Sequence, residues 1–222
     1  MTRLPKRNIP MQKGIFLVLE KNIPIWLSLP NKLSWKGMVG MARVGIIVGS
    51  LRKESFSKQV AANVVKLFPT GYTSELIEIG NLPIYNQDYD ENPPAEYTAF
   101  RAQVRGLDAI LFVTPEYNRS IPPVLKNALD VGSRPYGQSV WAGKPAAIIS
   151  QSIGNIGGFG ANHHLRQVLS FLDMPLLQQP EAYLANSAEL FDENGLIKNT
   201  DTVEFLQSFV DAFVTLIKRY QF

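Results

Sequence analysis

The stretch Val44–Ser57, VGIIVGSLRKESFS, decides the fold of this chain. Its first half is an almost continuous apolar run, which is typical of a strand buried on both faces of a parallel sheet. Its second half is a loop of small, hydroxyl-bearing and basic residues that leads into an amphipathic segment. A loop of this kind between a buried strand and a helix is suited to holding an anion. It contains neither the glycines of a dinucleotide fingerprint nor the Gly-Lys-Ser/Thr of a P-loop.

After this loop the chain continues to alternate apolar strands with amphipathic helices. The predicted strands are Arg43–Val48, Ser74–Ile79, Asp108–Val113, Pro145–Ser150 and a short one near Pro175–Gln178. The predicted helices are Lys58–Phe68, Ala95–Arg105, Pro122–Val131, Gly158–Leu172 and Thr202–Tyr220. Repeated units of this order predict an α/β fold, a doubly wound parallel sheet with right-handed crossovers. Such sheets bind ligands beyond the carboxyl ends of their strands, so the loops that follow the strands should converge on one site.

The composition is that of one globular domain, with 222 residues of which 45% are apolar and 18% are charged. The net charge of +3 is unevenly distributed. Residues 1–40 hold seven Lys/Arg and one acid and carry +6, whereas residues 41–222 hold 15 Lys/Arg and 18 acids and carry −3. The basic isoelectric point therefore comes from the leader, and we expect no nucleic-acid partner because the folded body lacks a basic excess.

We expect the leader, residues 1–40, to be an N-terminal extension that is disordered or loosely packed. The alternative is an arm that docks at an oligomer interface. Its apolar segment Ile15–Leu29 is interrupted by Glu20, Lys21 and Pro24. This segment is too short and too charged to span a bilayer, so we expect no membrane anchor. It also leads to no small-residue cleavage site, which argues against a signal peptide.

The chain contains no cysteine and only two histidines, which are adjacent at His163 and His164. The lack of cysteine excludes a disulfide scaffold and thiolate chemistry, and it fits a reducing cytoplasm. Two neighbouring histidines make a poor ligand set for zinc, so we expect no metal site. We interpret both histidines as packing or surface residues on the predicted helix.

The loop after the first strand, Gly49–Ser57, offers the donors that a phosphate group needs. Ser50, Ser55 and Ser57 carry hydroxyl groups, and the N-terminus of the following helix adds backbone N–H groups. Arg52 supplies a charged fork that matches phosphate oxygens. An ordinary N-capped turn is the alternative interpretation, because serine is common at the start of helices.

Two later loops are suited to a flat polar ring. After the third strand, Thr114–Pro123 (TPEYNRSIPP) has a backbone fixed by prolines, with Tyr117 and Asn118 exposed to a ligand. After the fourth strand, Ser150–Gly160 (SQSIGNIGGFG) has four glycines that let a ligand approach the backbone closely. One anion loop and two ring loops predict a mononucleotide with a terminal phosphate. Flavin mononucleotide (FMN) fits better than an adenine dinucleotide because the first loop lacks a dinucleotide fingerprint.

Glu116, at the end of the third strand, has two interpretations. It could exchange protons during a reaction, or it could cap the next helix or pair with Arg119 or Lys126. The spacing alone leaves these alternatives open, and we nominate no catalytic acid or base.

Four segments together resemble the NAD(P)H-dependent FMN reductase family, which includes bacterial chromate and quinone reductases and azoreductases. These segments are GSLRKESFS (49–57), TPEYNRSIPPVLKNALD (114–130), GKPAAIISQSIGNIGG (143–158) and HHLRQVLSFLDM (163–174). The resemblance covers about residues 42–185. It implies a flavodoxin-like sheet of five parallel strands in the order 2-1-3-4-5, with helices on both faces. Residues 41–222 would then be one FMN-binding reductase domain.

The resemblance also implies a set of cofactor-binding residues. The phosphate loop corresponds to Ser50, Arg52, Ser55 and Ser57; many relatives carry asparagine where this chain has Ser57. The segment that lines the isoalloxazine ring corresponds to Pro115, Glu116, Tyr117 and Asn118, and the loop that closes its far side corresponds to Ser152 and Gly154. Tyr85, in the LPIYNQD loop, corresponds to a residue near the open face of the flavin. Glu54 replaces a frequent glycine, so its side chain must point to solvent.

The activity implied by the resemblance is that of an oxidoreductase with non-covalently bound FMN. NAD(P)H, as co-substrate, would pass hydride to the flavin, and electrons would then go to quinones, azo compounds, chromate-like oxyanions or free flavin. The family also implies a homodimer or homotetramer, in which Arg134 and Tyr136 are either intersubunit contacts or exposed turn residues. Two alternatives are a flavodoxin-type FMN electron carrier that does not oxidise NAD(P)H and a binding protein for another phosphate ligand.

Overall fold

The computed structural model describes residues 42–220 of the chain. The five strands of its sheet are β1 (Ala42–Val48), β2 (Tyr72–Ile77), β3 (Ala109–Pro115), β4 (Ala146–Gln151) and β5 (Ala182–Leu184). They lie in the order β2-β1-β3-β4-β5, and every neighbouring pair is parallel. This confirms the predicted fold class. The predicted extension, residues 1–40, lies outside the described residues and stays a prediction.

In the part of the chain that the structure describes, five α-helices connect and follow the strands. They are α1 (Phe56–Val64), α2 (Ala95–Arg105), α3 (Pro123–Gly132), α4 (Phe159–Phe171) and α5 (Thr200–Tyr220). Ser55 caps α1 through its side chain, which accepts a hydrogen bond from the Lys58 amide. Proline stands at the start of α3, where the missing N–H costs least. The predicted helices therefore agree with the observed ones to within a few residues at each end.

The helices cover both faces of the sheet and create two apolar cores. Residues of α2, α3 and α4 pack on one face, around the fully buried rings of Phe112 and Trp141. Residues of α1 and α5 pack on the other face, where Phe209 and Phe213 are buried. Because strand β3 lies between these cores, its side chains are buried on both faces, as its continuous apolar sequence indicates.

The predicted position of the fifth strand is wrong. Near Pro175–Gln178 only Leu176 forms a bridge, to Ala146 at the start of β4. Pro180 then follows, and a proline has no N–H to donate to a neighbouring strand. Pairing resumes at Ala182, opposite Ile149, so β5 lies beside the carboxyl half of β4.

The strand register brings three loops to one edge of the sheet. The Gly49 amide, just after β1, donates to the Val113 carbonyl of β3 at 2.9 Å. Pro115, at the end of β3, is the register partner of Gln151, at the end of β4. The loops that follow β1, β3 and β4 consequently leave the sheet side by side. Among residues 42–220, no helix is long and apolar enough to cross a membrane.

Candidate functional site

The loop after β1 presents an arginine and several donors beside the N-terminus of α1. Ser50 and Ser55 are nearly buried, while the side chains of Arg52 and Glu54 are exposed. The Arg52 guanidinium carbon lies 5.9 Å from the centre of the Phe56 ring. N–H groups in the first turn of a helix lack partners within the helix, so they remain available to an anion. Glu54 points to solvent, as a phosphate site requires.

Ser57 lies in the first turn of α1, directly after this loop. Its side chain is fully buried, and its Oγ accepts a hydrogen bond from Gln151 Nε2 at 2.8 Å. Because Ser57 Oγ accepts this bond, its own O–H remains free to donate to an anion. Burial does not distinguish Ser57 from the other loop serines, since Ser50 and Ser55 are only 5% and 2% exposed.

The segment after β3 forms a tight turn. Tyr117 and Ser120 exchange two backbone hydrogen bonds of 2.9 Å, and the residues between them have positive φ angles. These angles are 50° at Asn118 and 65° at Arg119. Positive φ at two consecutive non-glycine residues is uncommon, and such backbone strain concentrates at functional sites. The turn leaves the side chains of Tyr117 and Asn118 exposed at the sheet edge.

The carboxylate of Glu116 is fully engaged within the chain. Oε1 pairs with Arg119 Nη1 at 3.1 Å, and Oε2 accepts a hydrogen bond from the Ala161 amide at 3.0 Å. Lys126 instead pairs with Asp130. Of the alternatives left open by the sequence, the pair with Arg119 is confirmed. The helix that Glu116 contacts is α4, not the next helix along the chain.

The loop after β4 packs closely on β5. A Cβ atom at Gly157 would lie 2.7 Å from the Tyr183 carbonyl carbon, and Gly157 has a φ of 62°. Only glycine suits both the left-handed backbone and this close approach. Further along the edge, the Gly154 amide donates to Ser152 Oγ at 3.1 Å. The neighbouring apolar side chains of Ile153 and Ile156 are exposed.

Tyr85 comes from the segment between β2 and α2, and α3 holds it in place. Its backbone amide donates to Oδ1 of Asn127 at 2.7 Å, and Asn127 Nδ2 donates to the Leu82 and Pro83 carbonyls. The Tyr85 hydroxyl donates to Asp90. Burial, and then the Asp90 charge, raise the pKa of Tyr85 above its ordinary value. The phenol therefore stays protonated and remains a hydrogen-bond donor at neutral pH.

Two residues that sequence reasoning missed organise this edge. Gln151 supports the first loop from β4, and Asn127 fixes the Tyr85 segment from α3. Both are buried polar side chains within otherwise apolar elements. An amide residue within an apolar segment was the signal that the sequence offered, because a buried amide needs hydrogen-bond partners from another part of the fold.

The two histidines have packing contacts, as predicted. His164 Nδ1 lies 2.7 Å from Ser120 Oγ, which ties α4 to the turn after β3. His163 Nε2 lies 3.0 Å from the Tyr183 hydroxyl, and its ring centre is 4.2 Å from that of Phe159.

The donor set at the sheet edge fits FMN. Hydroxyl groups, a helix N-terminus and Arg52 suit a phosphate, and the only acid in that loop, Glu54, faces solvent. The rigid turn at Tyr117–Ser120 and the glycine loop at residues 152–158 suit a planar heterocycle. Gln151 Oε1, a buried acceptor that has no hydrogen-bond partner within residues 42–220, lies at the junction between these two halves.

Comparison with known proteins gives concordant matches. A family model described as NADPH-dependent FMN reductase matches residues 42–189, which include all three loops. A quinone reductase of Pseudomonas putida is 56% identical over 176 residues, covering 79% of this chain and 94% of that protein. A 2-hydroxy-1,4-benzoquinone reductase of a Burkholderia species is 47% identical over 176 residues, covering 79% and 96% respectively. The solved structure of FerB, a flavoenzyme NAD(P)H:(acceptor) oxidoreductase from Paracoccus denitrificans, is 39% identical, with a TM-score of 0.77 over 81% of this chain and 99% of that chain.

Proposed function

Since this chain belongs to the NADPH-dependent FMN reductase family, we propose that it oxidises NAD(P)H and delivers the electrons to quinones. The enzyme class and the cofactor follow from family membership: the protein is an NAD(P)H-dependent oxidoreductase that uses FMN. Quinones are the proposed acceptors because the relatives that are 56% and 47% identical are named as reductases of quinones. Azo compounds, chromate-like oxyanions and free flavin are further acceptors to be tested against quinones.

One observation carries the proposal. The donor-rich loop after β1 and the turn after β3 leave the sheet side by side, because the Gly49 amide at the end of β1 donates to the Val113 carbonyl within β3. A ligand with a phosphate at one end and a flat ring at the other can contact both at once. Exposed apolar side chains, among them Tyr117 at 46% and Ile153 at 71%, stand at the same edge. Such side chains suit a flat apolar acceptor such as a quinone.

The residues of the site divide into groups with different roles. Ser50, Arg52, Ser55 and Ser57 bind the phosphate, and Ser57 is also held by Gln151. The backbone and side chains of residues 115–118 line the ring, and Ser152 and Gly154 close its far side. Tyr85 stands at the open face, where its protonated hydroxyl is held by Asp90.

FMN, when bound, supplies the hydride acceptance and electron transfer, while the protein positions it and sets the electrostatic environment. The carboxylate of Glu116 moves no proton in this proposal, because both of its oxygens are engaged by Arg119 and Ala161. Backbone N–H groups near Glu116 and Asn118 would favour negative charge on the ring. The turn geometry fixes those groups before any ligand arrives.

The test is anaerobic reduction of the purified protein. We expect a yellow protein whose visible absorbance bleaches when NADPH or NADH is added and returns when a benzoquinone is added. A heat-denatured sample is the control, and an azo dye, chromate and free FMN replace the quinone in parallel reactions. Absorbance that persists after NAD(P)H addition would indicate an electron carrier. Bleached protein that no quinone reoxidises would overturn the proposed acceptor class.

We also propose that the protein works in the cytoplasm as a homodimer or homotetramer. Tyr136 is 91% exposed and Ile84 is 76% exposed, so both residues are available for a contact between subunits. Arg134 is engaged within its own chain, where it pairs with Asp90 at 3.9 Å. Sedimentation velocity tests the assembly: a monomer at micromolar concentration would contradict it. Replacing Tyr136 with serine should weaken the association.

A further inference from the structure

Gln151, the last residue of β4, carries a buried amide with only one of its two ends satisfied. The residue is 5% exposed, and its Nε2 donates to Ser57 Oγ at 2.8 Å. Its Oε1 is buried and has no hydrogen-bond partner among residues 42–220. A buried acceptor without a donor destabilises a fold, and native proteins contain few of them. An apolar residue at this strand end would avoid that cost, so fold stability does not explain the glutamine.

The position of Gln151 suggests what it does. Ser57 stands in the first turn of α1, two residues after the cap Ser55. Gln151 itself is the register partner of Pro115 and directly precedes Ser152. The Gln151 amide therefore connects α1, which begins at the phosphate loop, to the carboxyl ends of β3 and β4. These two strand ends lead into the two ring loops. The two joined residues are 94 positions apart in the chain.

We infer that Gln151 is a positioning residue for the phosphate end of FMN, an inference that rests on the proposed function. Its N–H group fixes Ser57 and with it the first turn of α1, whose free N–H groups face the anion. By accepting this hydrogen bond, the Ser57 hydroxyl is held against β4. The loop above it is then set at a constant distance from the ring loops.

This role also accounts for Ser57. The amide is supplied by β4, and a small serine on α1 completes the buried pair.

The test compares the affinities of the apoprotein for FMN and for riboflavin, which lacks the phosphate, by quenching of flavin fluorescence. In Gln151→Val we expect FMN affinity to fall about tenfold, the usual effect of disturbing hydrogen bonds to a charged group. Riboflavin affinity should stay unchanged, so the preference for FMN falls by the same factor. The apoprotein melting temperature should change little, because the lost hydrogen bond to Ser57 is offset by removal of the unpartnered oxygen.

Two further variants make the test specific. Gln207→Leu is the matched control: Gln207 also joins two elements, donating to the Leu67 carbonyl at 3.2 Å, but it lies on α5 away from the three loops. It should leave the preference for FMN unchanged. Adding Ser57→Asn to Gln151→Val returns an amide to the buried space from α1 and should restore the preference.

Three results would overturn the inference. The first is an unchanged FMN preference in Gln151→Val. The second is an equal loss of affinity for FMN and for riboflavin together with a lower melting temperature, which would indicate that Gln151 is purely structural. The third is a folded double variant that shows no recovery. A wild-type protein that does not prefer FMN over riboflavin would instead overturn the phosphate site, and with it the proposed function.

Discussion

Glu116 Oε2 accepts a hydrogen bond from the Ala161 amide at 3.0 Å, which joins the end of β3 to the first turn of α4. The two elements also touch at Gly160, where a Cβ atom would lie 2.9 Å from the same oxygen. The carboxylate thus stabilises the positive end of a helix and at the same time holds the turn that presents Tyr117. The position of Glu116 at a strand end suggests a proton-transfer group, but both of its carboxylate oxygens are bound by other parts of the fold, Arg119 and the Ala161 amide.

The first prediction concerns the charge of Glu116. Glu116→Ala should lower the free energy of unfolding by about 1–2 kcal/mol, because a helix-terminal amide and Arg119 both lose a partner. Glu116→Gln retains an acceptor for the Ala161 amide and should lose less. Urea unfolding measures both variants. The pH profile of turnover in Glu116→Gln should keep the wild-type shape; a lost limb would reveal a proton-transfer role.

The second prediction concerns Arg52. Arg52→Ala should weaken FMN binding about tenfold through loss of a charge-assisted hydrogen bond to the phosphate. Riboflavin binding and the melting temperature should not change, because the side chain is exposed. Lys53→Ala, which removes the neighbouring exposed cation, is the control and should have a smaller effect. If Arg52→Ala binds FMN as tightly as the wild type, the assignment of the phosphate loop is wrong.

The third prediction concerns the Tyr85 segment. Asn127→Leu leaves the Tyr85 amide and the Leu82 and Pro83 carbonyls without their partner, so the free energy of unfolding should fall by about 1–3 kcal/mol. The freed segment should raise KM for the quinone while FMN affinity is retained. Steady-state kinetics and fluorescence titration measure the two effects.

Asn63→Leu is the matched control for this variant. Asn63 also makes three hydrogen bonds, to Gln59, Gly195 and Ile197, but they lie at the far end of α1. It should lower stability by a similar amount and leave the quinone KM unchanged. Equal changes in quinone KM in both variants would contradict a specific role for the Tyr85 segment.

The fourth prediction concerns alkaline pH. The Tyr183 hydroxyl donates to Glu181 Oε2 at 2.5 Å. Burial, and then this hydrogen bond, raise the pKa of Tyr183 well above its ordinary value of 10.0. Above pH 10 the folded state therefore retains a proton that the unfolded state releases, and the contribution of Tyr183 to stability declines as pH rises. The difference in free energy of unfolding between the wild type and Tyr183→Phe should be largest at neutral pH and should decrease at strongly alkaline pH. A difference that increases with pH would contradict this assignment.

The sequence by itself determined the architecture. Continuous apolar strands that alternate with amphipathic helices specify a parallel doubly wound sheet, because both signals are local and the crossover has a fixed hand. The same pattern predicted that the loops after β1, β3 and β4 would meet, since carboxyl ends of parallel strands share one edge. The four quoted segments also identified the family that the comparisons confirm.

Only the tertiary structure decided which hydrogen-bond partners the side chains of the candidate site have. Ser57 is one of three loop serines in the sequence, and its hydrogen-bond partner Gln151 comes from 94 positions away. Glu116 finds its helix 45 positions further on, at Ala161. The place of β5 likewise depends on where pairing with β4 can resume. These outcomes depend on packing between distant segments, and a buried polar group takes whichever partner the fold brings within hydrogen-bond reach.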